Sequence, residues 1–284
     1  MQITPFLHPA SSTWSYVVAD IAARRAAIID PALDYDAASG RIGTASAQAL
    51  VDHVRGQGCS LDWILETHAH ADHLSAAQFV KQELGSRVAI GEGIREVQGT
   101  FKTLYNLGDG FRTDGSQFDH LFRDGEHFAI GGLEGRVIAT PGHTSDSVAY
   151  HIGDAVFTGD SLFMPDSGSA RCDFPGGDAG MLYDSMHKLL SLPETARLFV
   201  CHDYGQGGRA KLHETTVGEQ RRTNIHVKDG ISRDEYVKLR RERDATLPVP
   251  ALLLPAIQVN IRAGRLPEPE ANGTVYLKIP VNKF

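Results

Sequence analysis

The sequence has few cysteines, no long apolar run and no excess of basic charge, and each shortage removes a class of function. Its three cysteines, Cys59, Cys172 and Cys201, are scattered and odd in number. They make neither a disulfide framework nor a C-x-x-C metal site, and they suit a reducing compartment. No apolar run approaches the ~20 residues that a membrane span needs. The opening MQITPFLHPASS lacks the charged and apolar regions of a secretory signal, so a cytoplasmic location is expected. The formal net charge is −7, with no dominant basic arm or patch. Neither nucleic acid nor a membrane surface is therefore an expected partner. The densest basic segment, KLRRERD at 238–244, alternates with acids and reads as a solvated helix face. Internal repeats and low-complexity tracts are missing too.

What is present is ordinary globular composition, 42% hydrophobic and 22% charged over 284 residues. That is enough chain for one large domain or two small ones. TWSYVVAD and AAIIDP read as short strands, and residues 45–57 read as a helix closed by Gly58. The apolar LDWILET is a further strand. From His73 onward LSAAQFVKQELG is helical in pattern and ends on Gly85. HFAIGG, GRVIATPGH, SVAYHIGD and AVFTGDSLF alternate strands with tight turns. A helix over 178–191 and the strand ARLFVCHDY follow, then one or two helices within 213–244, where SRDE makes Ser232 and Glu235 a capping box. The proline-punctuated tail predicts an extended segment wrapping the surface. Its apolar PALLLPAIQV either closes its own domain or packs across a homodimer interface. The expected division is a catalytic domain over 1–210, with helices and an extended tail over 211–284 completing the same fold.

One stretch breaks every periodicity. ETHAHADHLSA, residues 66–76, crowds His68, His70, Asp72 and His73 into a strand-to-helix loop, where α/β proteins tend to bind ligands. Residues two apart face the same way on an extended chain, so His68, His70 and Asp72 are expected to converge. Further on, ATPGHTSDS carries His143, FTGDSLF carries Asp160 and VCHDY carries His202, each after a short apolar run. One histidine after a strand is usually a surface or core residue. Three within six positions are costly to bury unpaired, and such imidazole and carboxylate sets suit zinc, iron or manganese. The remaining histidines lack this context and are taken as structural, and Cys172 and Cys201 as small core residues.

In order and type, these four segments resemble the metallo-β-lactamase superfamily over roughly residues 10–205. The resemblance implies an α/β fold, a four-layer αββα sandwich with a metal site at one edge of two sheets. In its glyoxalase II-like hydrolases, two Zn(II) ions would lie on His68, His70 and His143 and on Asp72, His73 and His202, with Asp160 between them. A narrower resemblance, carried by GDSLF, ARCDFPGGD, HDYG and LLLPAIQVNIRAGRLPEP, is to persulfide dioxygenases. It implies one Fe(II) per chain on His68, His143 and Asp160, with His70, Asp72, His73 and His202 around it. The reaction it implies joins a small thiol-borne persulfide, glutathione persulfide foremost, with O₂ to give sulfite. Arg171, Tyr204 and Arg209 are the candidate substrate-binding residues, Tyr204 also a catalytic one, and Asp173 is either a partner of Arg171 or part of the same segment. The alternative remains a dinuclear zinc thioesterase. Against it stands the tail, where glyoxalase II proteins carry a helical domain. A secreted β-lactamase, a nuclease and a metal-binding protein without turnover are weaker rivals.

Overall fold

The computed structural model describes residues 1–283. The first half of the chain runs through β1 (Gln2–His8), β2 (Thr13–Asp20), β3 (Arg25–Ile29), β4 (Ala32–Asp36), β5 (Arg41–Gly43), α1 (Ala45–Gly56), β6 (Ser60–Leu65), β7 (Leu74–Ser75), α2 (Ala77–Leu84), β8 (Arg87–Gly91), α3 (Ile94–Leu104) and β9 (His120–Phe122). The second half continues with β10 (His127–Ile130), β11 (Leu133–Ala139), β12 (Val148–Ile152), β13 (Ala155–Phe157), α4 (Ala179–Leu190), β14 (Arg197–Phe199), β15 (Glu214–Thr216), α5 (Val217–Thr223), α6 (Arg233–Asp244) and α7 (Leu253–Asn260).

Two six-stranded sheets result, ordered β1-β2-β3-β6-β8-β9 and β10-β11-β12-β13-β14-β15. Their strands are apolar on both faces, and alternation sends successive residues to opposite layers. Tyr16, Val18, Ala27 and Ile29 meet Val137, Tyr150 and Phe157 between the sheets. Val17, Ala19, Ala26 and Ile28 instead face helical residues such as Val51, Val80, Val97 and Ile257. On the far side, Ala149, Val156 and Leu198 pack against Leu182, Met186 and Tyr236. The order is helices, sheet, sheet, helices: the αββα sandwich. Among the described residues no helix is long and apolar enough to cross a membrane.

At one edge the sheets are stitched together. Trp14 N donates to Cys201 O at 2.7 Å, and Thr13 pairs with His202 in an isolated antiparallel bridge. This seam lies beside the loops that carry the histidines.

Two expectations give way. The helix after the histidine cluster starts at Ala77 rather than at His73, because Leu74 and Ser75 pair with Leu33 and Ala32 of β4. The tail is not extended throughout: residues 253–260 form α7. Pro255 is compatible with this because it falls in the first turn, where no backbone donor is needed. Leu253, Ala256, Ile257 and Val259 are buried within the chain, so this apolar run lies in its own core. Beyond Arg265 the described residues carry no helix or strand.

Candidate metal centre and its cavity

Each cluster residue follows the end of a strand, and backbone strain marks the spot. Asp30, just past β3, has φ of +48°, a conformation that non-glycine residues seldom take. Its carboxylate receives Thr67 N at 2.7 Å and Thr67 Oγ1 at 2.9 Å, which pins the start of the histidine loop. Asp146 does the same further on, accepting Ala69 N at 2.8 Å. His143 follows Gly142, whose φ is +136° and whose added Cβ would fall 2.2 Å from Leu182 N. Only glycine lets the loop press this closely against α4.

The structure gathers His68, His143 and Asp160 as one group whose donor atoms all lie within 4.8 Å of one another. Asp160 Oδ2 lies 3.8 Å from His68 Nε2 and 3.5 Å from His143 Nε2. The rear nitrogens are occupied: His68 Nδ1 meets Thr67 Oγ1 at 3.0 Å, and His143 Nδ1 donates to Arg171 O at 2.7 Å. That fixes both rings with Nε2 facing inward. His202 Nε2 lies 3.3 Å from Asp160 Oδ1 and 3.6 Å from Asp72 Oδ2. His68, His73 and His202 Nε2, both ring nitrogens of His70 and Asp160 Oδ1 are buried without a hydrogen-bond partner among the described residues. Buried polar atoms are seldom left so. Converging nitrogens and a carboxylate oxygen with nothing to bind are what a cation site requires, so the donor set fits a metal ion.

The expected convergence of His68, His70 and Asp72 holds only in part. His70 groups with Asp72 and His73, and also with Asp30 and Glu66. Its Nε2 lies 3.0 Å from Asp30 Oδ1 and 3.7 Å from Glu66 Oε2, without hydrogen-bond alignment to either. Burial presses His70 down, but Asp30 and Glu66 outweigh it and hold the ring up at about 10. Burial lifts Glu66 to about 8 against the pull of His70. Burial and the neighbouring imidazoles hold His68 well below its usual range, and burial with His70 takes His73 to about 3. Burial would raise Asp72, but His202 and His73 bring it to about 2.

A cavity of about 300 Å³ opens onto the group, lined by Asp72, His143, Asp160, Phe163, Phe174 and Tyr204 among others. Tyr204 is half-exposed, its ring parallel to that of His202 at 6.1 Å. Arg171 also lines it, yet its guanidinium is engaged with both oxygens of Asp173, at 2.6 and 2.7 Å, and with Pro248 O. Its backbone carbonyl is what reaches the centre. Arg209 is outside the cavity lining, tied to Asp166 and Asp203, and Lys211 donates to Ser12 Oγ. Cys172 and Cys201 are buried, and burial pushes the Cys172 thiol up to about 12 and the Cys201 thiol up as well. Sequence reasoning missed Asp30 and Glu66. The only signal was two acids at strand ends, ID-P and LE-T, flanking the loop.

An αββα sandwich with imidazoles and carboxylates converging at the seam of its sheets defines a class, the metal-dependent enzymes of this fold. Residues 8–202 match the model of the metallo-beta-lactamase superfamily, and the chain belongs to that superfamily. A beta-lactamase hydrolase-like protein of Agrobacterium fabrum is 52% identical over 280 residues, 99% of this chain and 64% of the relative, so the chain spans less than two thirds of that protein. Glyoxylase B2 of Dictyostelium discoideum is 51% identical over 283 residues, 99% of this chain and 97% of the relative. The mitochondrial persulfide dioxygenase ETHE1 of Bos taurus is 30% identical over 260 residues, 90% and 86% of the two chains. The crystal structure of ETHE1 from Myxococcus xanthus superposes with a TM-score of 0.74 at 30% identity, covering 93% of this chain and 100% of that one.

Proposed function

We propose that the chain is a persulfide dioxygenase-like enzyme that oxidises a low-molecular-weight persulfide with O₂ at one non-haem ferrous ion. The observation that carries the reading is the division of the cluster. His68, His143 and Asp160 offer two nitrogens and an oxygen to a common point, whereas His70 falls outside that group and sets its Nε2 beside the carboxylates of Asp30 and Glu66. Two histidines and one carboxylate are the facial triad of non-haem Fe(II) oxygenases. A ferrous ion there would supply open positions for both reactants and a redox path by which electrons from the sulfur reach O₂. Overall, persulfide, O₂ and water give thiol, sulfite and two protons; the outer sulfur is oxidised and O₂ reduced.

The protein's own groups do the rest. Arg171 O and Thr67 Oγ1 hold the two imidazoles in register. Phe163 and Phe174 line the cavity with apolar surface, which keeps bulk water from the sulfur. Arg243 lines it as well, and no carboxylate pairs with it among the described residues, so it is placed to meet a carboxylate of a glutathione-sized carrier. Tyr204 offers its hydroxyl at the cavity wall. The test is oxygen uptake by Fe(II)-loaded protein given glutathione persulfide, with sulfite assayed alongside and metal-free protein as control. Equal O₂ uptake and sulfite formation, both lost without metal, are expected.

One observation favours a second reading. His73 and His202 also present free Nε2 atoms near Asp72, which would hold a second ion in a dinuclear zinc hydrolase of glutathione thioesters. No oxygen uptake, with thioester cleavage by the two-zinc protein, would replace the dioxygenase reading by this one.

A further inference from the structure

The tail helix reaches back to the histidine loop. Asn260, the last residue of α7, is 4% exposed, and its side-chain amide is committed to that loop. Nδ2 donates to His70 O at 2.7 Å and to His73 O at 2.8 Å, and Oδ1 accepts from Ser75 N at 2.8 Å. Most of the backbone between β6 and β7 follows no ladder or helix, so these groups depend on a side chain for pairing. A buried carbonyl left unpaired costs about 1–3 kcal/mol. An amide supplies two donors and an acceptor at once. A carboxylate of the same shape would set oxygen against both carbonyls.

The helix that carries this amide is itself held. Ile257 and Ile261 are buried in the outer core, Gln98 Nε2 donates to Ile261 O at 2.9 Å, and Gln78 Nε2 donates to Ala263 O at 2.8 Å. The two carbonyls it grips bracket Asp72, so the turn that aims Asp72 and His73 is fixed from a point almost 190 residues further along the chain.

We infer that Asn260 is a positioning residue of the metal centre, holding the backbone of His70 to Ser75 so that the loop's donors face the ion. The inference rests on the metal-centre reading and not on the choice between oxygenase and hydrolase. The experiment compares the full wild-type chain with Asn260→Ser, Asn260→Asp and a packing control, Ile257→Val. Cobalt(II) is the probe, titrated with its visible absorption recorded, and amide exchange of residues 66–76 is followed in metal-free protein together with Tm. Both Asn260 variants are expected to bind cobalt about tenfold to a hundredfold more weakly, with altered absorption bands. The loop should also exchange faster in both. Ile257→Val should lower Tm while leaving cobalt affinity and spectrum alone. Should Asn260→Asp not fold, Asn260→Ser decides by itself. Cobalt affinity and spectrum unchanged in Asn260→Ser would overturn the inference, whatever happens to Tm or exchange. A wild-type chain that took up no cobalt would overturn the metal centre, and the inference with it.

Discussion

Two histidines of one loop, His68 and His70, stand two residues apart with ring centroids 4.0 Å apart, and their surroundings oppose each other. His68 faces Asp160, and burial with four neighbouring imidazoles, His70 first among them, holds its pKa well below the usual range. His70 faces Asp30 and Glu66, which favour its protonated form. The difference teaches that a ligand motif does not fix its own stoichiometry. Residue type decides what can bind a metal, and the charges around each member bias the protonation state in which it meets one.

The sharpest test removes a member of the triad. Asp160→Ala or His143→Ala should abolish both metal uptake and turnover, read by metal analysis and oxygen consumption. Next comes the support behind His143. Gly142→Ala places a Cβ against Leu182 N at positive φ, and should destabilise the fold on the order of 3 kcal/mol in urea unfolding. His70→Asn then probes the opposite side. It should leave one metal per chain and weaken binding by no more than about a hundredfold. A drop from two metals to one would break the comparison and favour the dinuclear reading. The smallest effect lies away from the centre, at the buried His226, whose Nδ1 accepts from Ser169 N. Burial, with Arg240 and Arg243, lowers it to about 4 from an ordinary 6.5. Above pH 6.5 its full contribution to stability is present. As pH falls from 6.5 toward 4 only the unfolded chain takes up the proton, so stability drains away. His226→Gln should remove about 1 kcal/mol of the loss between pH 7 and 5.5, read by thermal or urea unfolding.

Much of this was legible beforehand, for identifiable reasons. The sandwich follows from strands whose successive residues are all apolar, as Tyr16 to Ala19 are. The capping box at Ser232 and Glu235 opens α6, because its hydrogen bonds depend only on local spacing. The histidine loop stood out because no periodicity accounts for it. The direction of His70 was not readable, since it is set by Asp30, forty residues earlier, at a strand end with no motif of its own. Arg209 looked available in the sequence, but Asp166 and Asp203 claim it through contacts that close only when the fold does. The tail helix was hidden by its prolines, which mark a helix start as readily as they break one.

The seam where Thr13 pairs with His202 has a mechanical consequence. His68 hangs from the first sheet, while His143 and Asp160 follow strands of the second. An ion shared among them would act as a rivet through both plates of the sandwich, at the edge where they would first peel apart. Prying the sheets open and releasing the ion would then be one event, so the melting temperature should climb with free metal concentration.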